Sequence, residues 1–146
     1  MKTPTTTHAF PDTFDSYVTP TEYLETEIAG ITYRAFIEHD PDSHIDDDDS
    51  HNLDLICQEI EPDVYQSVRN ARQEWYQNGW FYCGIVIEAR KTGHLISEYA
   101  ASLWSIEANY PGTDNSYLTE VANELLNEAV PAVEATLERM IIELQE

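Results

Sequence analysis

Between Glu38 and Asp63 the chain carries eleven carboxylates and neither lysine nor arginine, with Asp46, Asp47, Asp48 and Asp49 in an unbroken run. Neighbouring like charges repel in helix and sheet alike, and unpaired charges are costly to bury, so the aspartate run is expected outside the core. The fold must be assembled from what flanks it. Asp40-Pro41-Asp42 is a turn signal that opens an exposed acidic loop running to about Asn52, after which Leu53, Leu55 and Ile56 return the chain to the body.

On the N-terminal side, residues 1–18 mix Thr, Pro and Asp without periodicity and read as a loosely ordered arm, with Phe10, Phe14 and Tyr17 available to pin it. Residues 19–146 read as a single α+β domain. Two signals compete over Glu22 to Ile28: Thr19-Pro20-Thr21-Glu22 resembles a helix start, whereas YLETEI alternates as a strand does. The alternation favours a strand without removing the helix. Gly30 marks a turn, and the β-branched and aromatic run Ile31 to Glu38 is a second strand.

Beyond the acidic segment, Glu61-Pro62-Asp63 opens a helix near Asp63 to Asn78, with Val64, Val68, Ala71 and Trp75 at helical spacing and Gly79 as its stop. Trp80 to Arg90 and Leu95 to Asn109 form a hairpin around Lys91-Thr92-Gly93-His94. Ser116 to Leu144 is a long helix whose apolar residues, among them Leu118, Val121, Ala122, Leu125, Ala132, Leu137 and Met140, fall on one face. Pro131 projects among the acids of the other face, so the helix is expected to bend there or divide in two. These elements predict an antiparallel sheet of three or four strands covered by two main helices, with an acidic loop. Cys83, Ile85, Ile87, Leu103, Leu125 and Leu137 are the expected core.

Several chemistries are disfavoured by spacing. Neither calcium-loop register fits, because the sixth position, which needs glycine, holds Leu53 when counted from Asp48 and Ile45 when counted from Asp40. His39, His44 and His51 with Cys57 match no closed zinc set. There is no nucleophile elbow, no zinc-protease helix and no phosphate-cradling loop. A Glu88–Glu98 pair across the hairpin is the remaining acid–base candidate, and facing strands ordinarily carry such residues on their solvent side. A non-enzymatic protein with no metal and no cofactor is the expectation. Cys57 and Cys83 lack disulfide or CxxC spacing, no secretory signal is evident, and no run approaches 18 apolar residues, so a soluble cytoplasmic protein is expected.

The net charge of −21, from 28 acids against 7 bases, repels nucleic acid and anionic membranes and attracts a basic protein surface. Glu120, Glu124 and Glu128 recur every four residues, and Glu134 and Glu138 return to nearly the same side of the helix. Carboxylates four apart recur about every 6 Å of helix axis, close to every second phosphate of a DNA strand at ~3.4 Å per phosphate. Asp40, Asp42, Asp46, Asp47, Asp48 and Asp49 with these five glutamates are therefore the candidate partner-binding residues. The expected partner is a basic nucleic-acid-binding protein or complex. The alternative is that the acids serve only solubility, in an interaction module that is possibly homodimeric.

Ser102 to Ala129 (SLWSIEANYPGTDNSYLTEVANELLNEA), preceded by Trp80 to Ala89 (WFYCGIVIEA), resembles small acidic proteins of phages, plasmids and other mobile elements. Their pattern is an aromatic strand, a Ser-Leu-Trp strand and a Tyr-Leu-x-Glu-Val-Ala helix. The resemblance covers about a third of the chain and implies a similar origin and fold rather than a catalytic residue. In size, charge and acidic helix the chain is also similar in kind to DNA-mimic anti-restriction and anti-CRISPR inhibitors. This likeness of class implies inhibition of a host CRISPR effector or restriction enzyme.

Overall fold

The structure is a computed structural model that describes residues 7–43 and 79–145 and, between them, Asp63, Gln66, Ser67, Arg69, Asn70, Gln73 and Trp75. Four antiparallel strands form one sheet in sequence order: β1 (Tyr23–Ile28), β2 (Ile31–His39), β3 (Phe81–Lys91) and β4 (His94–Ala108). Both hairpins turn on two residues of positive φ, Ala29 (52°) with Gly30 (80°) and Thr92 (52°) with Gly93 (78°). That geometry follows the right-handed twist of the strands it joins. Thr19 to Glu22 is a turn closed by the Glu22 N–H on the Thr19 carbonyl at 3.2 Å, so the strand reading of the next residues is the one realised.

Alternation decides which residues face the helix. Ile31, Tyr33, Ala35 and Ile37 on β2 are buried, as are Cys83, Ile85, Ile87 and Ala89 on β3. They pack beneath a single helix, α1 (Ser116–Gln145), through Leu118, Ala122, Leu125, Leu126, Ala129 and Val133. Each such aliphatic side chain is worth about 1.5–3 kcal/mol over leaving it in water. Pro131 lies exposed within α1, which runs through it as one element.

Three expectations are corrected. Among the described residues one main helix covers the sheet, not two: of the stretch expected to supply the other, Asp63, Gln66, Ser67, Arg69, Asn70, Gln73 and Trp75 are helical, and all but Trp75 are exposed. Leu103 is 47% exposed, on β4, which is an edge strand among the described residues. Ala132 and Met140 are exposed on α1, whose last buried residue is Val133. Leu137 is only partly buried against the core.

The arm, expected to be loosely ordered, is tied down over its described part. Phe10, Phe14 and Val18 are buried, whereas Tyr17 is exposed. Thr119, Asn123 and Asn127 stand four apart on a flank of α1 and take successive arm N–H groups. The Phe14 N–H donates to Thr119 Oγ1 (3.0 Å), the Phe10 N–H to Asn123 Oδ1 (2.9 Å) and the His8 N–H to Asn127 Oδ1 (2.8 Å). Asn127 Nδ2 returns a bond to the His8 carbonyl at 2.8 Å. An amide side chain carries both donor and acceptor, so it can replace the strand partner that the arm lacks. At the end of the arm, Asn109 brackets Val18 by accepting from its N–H and donating to its carbonyl, and Asn115 Nδ2 donates to Asn109 Oδ1 and to the carbonyls of Asp15 and Ser16.

Candidate partner-binding surface

Glu120, Glu124, Glu128, Glu134 and Glu138 are all exposed, on the side of α1 opposite its buried stripe. At 3.6 residues per turn they fall within an arc of about 120°. None has an ion-pairing partner among the described residues: Arg34 pairs with Glu25 at 2.7 Å, Arg90 with Glu88 at 2.6 Å, and Arg139 bonds Thr136. The helix therefore presents a row of negative charge that no base among the described residues pairs with. Glu88, considered above as an acid–base partner of Glu98, is held by Arg90 instead.

Asp40 has a different part. It is 5% exposed and works as a staple. Its N–H extends the β2–β3 pairing by donating to the Tyr82 carbonyl at 2.9 Å. Its carboxylate accepts from the Asp42 N–H (3.0 Å), the Ser43 hydroxyl (2.9 Å) and, across β3, the Ser105 N–H of β4 (2.9 Å). Burial pushes this carboxyl up, but the Ser43 hydroxyl and the N–H groups of Ser105, Asp42 and Ser43 outweigh it and hold the pKa below the ordinary value. Asp40 thus belongs to the scaffold rather than to a surface offered to a partner. Asp42 is exposed, and Asp46, Asp47, Asp48 and Asp49 lie outside the described residues.

The strand that Asp40 reaches is irregular at that point. β4 carries an extra residue between its pairings Cys83↔Ile106 and Ile85↔Leu103, and Ser105 takes φ 63°. Such a bulge re-aims the neighbouring side chains. Trp104 consequently lies over Gly84, its six-membered ring occupying the place of a side chain at that position. Because Gly84 alternates with the buried Cys83 and Ile85, Trp104 is on the sheet face away from α1. It remains 39% exposed and borders an open groove of about 630 Å³ with Glu38, Asp42, Ser43 and Ser105.

The helical row therefore lies on one side of the sheet, and Glu38 with Asp42 beside Trp104 on the other. A tryptophan in a strand ordinarily belongs to a core, and Trp104 does not. In the structure Trp80 takes that place, 3% exposed and in ring contact with Trp75, Tyr82 and Tyr110 at 6.4, 5.2 and 5.0 Å. A glycine within an otherwise apolar strand was the available signal for the close approach of Trp104.

Among the described residues no group of three or more His, Cys, Asp or Glu is placed to hold a metal, and no helix is long and apolar enough to cross a membrane. His44, His51 and Cys57 are outside the described residues. No family model, curated protein or solved structure matches the chain.

Proposed function

We propose that the protein is a non-enzymatic inhibitor of a host nucleic-acid-binding defence complex, a CRISPR effector or restriction enzyme, acting in the cytoplasm by DNA mimicry. The observation that carries this reading is the row Glu120, Glu124, Glu128, Glu134 and Glu138 along one helix. At 1.5 Å per residue the row spans about 27 Å, the axial length of roughly eight phosphates on one strand. A basic channel that closes on it recovers the counterion release it would gain from nucleic acid. The row is the mimic by itself, and the reading does not need Asp40.

The test is displacement of labelled duplex from purified effectors and restriction enzymes. Displacement at low salt, weakened steeply by added salt and lost in the Glu120→Gln, Glu124→Gln, Glu128→Gln triple variant, supports mimicry. Displacement unchanged in that variant, or absent from every complex tried, rejects it.

A second reading has its own observation. Past Leu137 the apolar stripe of α1 continues exposed: Met140, Ile141 and Leu144 are 44%, 55% and 85% exposed. A homodimeric interaction module of a mobile element would use this end and keep its acids for solubility. Sedimentation of the wild type against Ile141→Glu separates the two, since a module of this kind dissociates in the variant while displacement by a mimic persists.

A further inference from the structure

We infer that the groove beside Trp104 is a receptor for an arginine side chain of a basic protein partner. The register places Glu38 opposite Gly84 on β2, and Trp104 covers Gly84 from β4, so a carboxylate and an indole share one patch of the sheet across a residue that has no side chain. The ring is seated against the sheet on one side and is still 39% exposed. Asp42 joins the rim through the turn that Asp40 clamps onto Ser105.

Neither the Glu38 nor the Asp42 carboxylate has a hydrogen-bonding or ion-pairing partner among the described residues, and the groove's lining holds one imidazole, His39, which stacks on Phe81, but no lysine or arginine. A guanidinium is the group that satisfies all of these features together. Its plane stacks on an indole, and its edge donates in parallel to carboxylates. A lysine ammonium, more strongly hydrated and without a plane, uses the same charges less fully. The hydroxyls of Ser43 and Ser105, 2.6 Å apart, close one wall without adding positive charge.

This inference deepens the mimicry reading, because it rests on a basic partner and gives that partner a fixed anchor on the second face. The test uses the whole protein, followed by NMR, and a short capped peptide with three spaced arginines, compared with the same peptide carrying uncharged citrulline. The expected result is shift changes concentrated on the Trp104 indole N–H and the Ser105 amide, absent with citrulline. Affinity should fall about two- to fivefold in Trp104→Leu, the range of one exposed cation–π contact. Glu38→Gln, which keeps size and shape, should weaken binding as well.

Shifts spread evenly along Glu120 to Glu138, or affinity indifferent to both substitutions, would overturn the groove as a site. The triple glutamine variant of α1 keeps the two ideas distinguishable. If it abolishes DNA displacement while the peptide fails to reach Trp104, only the groove falls. If the peptide binds at Trp104 while displacement ignores the helical acids, the groove stands and mimicry by the helix falls.

Discussion

Trp104 occupies the volume that a side chain on Gly84 would need. Gly84→Ala places a methyl group inside the indole, and since the ring is backed by the bulge it must be pushed off the sheet. A cost of about 1–3 kcal/mol is expected, the range for overpacking. In a Trp104→Ala background the same methyl should cost much less. A double-mutant cycle by urea unfolding reads this coupling, and additive effects would contradict the fit.

Asp40 Oδ1 accepts from the Asp42 N–H and Oδ2 from the Ser105 N–H and the Ser43 hydroxyl, so replacing Asp40 by Asn turns one of these acceptors into an NH2 that faces at least one backbone N–H donor. The variant should melt several degrees lower, with faster hydrogen exchange at Ser105. The pH dependence gives a second readout. A carboxyl held below its ordinary pKa in the folded state stabilises above the unfolded value and loses that contribution as pH falls through the lowered one. Wild type should therefore lose its advantage over Asp40→Asn on acidification.

Removing Asn123 strands the buried-side N–H of Phe10. Asn123→Ala should cost about 1 kcal/mol and Asn127→Ala a similar amount, with exchange at residues 8–18 rising far more than in the sheet. Uniform loss of protection across the protein would mean that the arm unfolds only with the whole.

Asn115 is fully buried, adopts φ 64° and makes its amide bonds to Asp15, Ser16 and Asn109 at once. Asn115→Ala forfeits these bonds and leaves a Cβ-bearing residue without the local bonding that helps Asn in the left-handed region. About 2–3 kcal/mol is expected in denaturant melts.

Alkali should unfold the protein in a defined window. Burial pushes the Cys83 thiol from 9.0 up to about 12, aided by the Asp40 charge, and pushes the Tyr33 phenol from 10.0 up to about 12, aided by Glu134. Both pKa values are raised on folding, so their contribution is complete below pH 9 and is lost between there and pH 12. Cys83→Ser, with no thiolate to form, should retain a flatter profile over pH 9–10. Native Cys83 should also resist thiol reagents.

The strands and the long helix were legible because burial leaves a period in the sequence: two in Ile31 to Ile37, about 3.6 from Leu118 to Val133. The tethering of the arm was not. Asn123 and Asn127 sit at the border of the buried stripe, and polar residues there look the same whether they face water or another segment's backbone. Asp40 was hidden for a related reason, since nothing local sets it apart from Asp42, and only the return of β4 brings Ser105 to it. Trp104 misled because aromatic residues usually mark a core, whereas a bulge invisible to alternation turned this one outward. The helical glutamates were legible as a row. Their separation from Glu38 and Asp42 by the thickness of the sheet needed the fold.

The strap between the arm and α1 also sets an order of events during synthesis. Phe14 bonds a residue 105 positions later and His8 one 119 positions later. At ~5–20 residues per second the arm waits about 5–20 s on the ribosome for Thr119 to be made. The sheet can pair in the meantime, but Tyr33, Ile37, Ile85 and Ile87 have no cover until α1 emerges. The nascent chain is thus most dependent on chaperones in the interval after β4, and a synonymous-codon pause just upstream of Ser116 should lower its soluble yield.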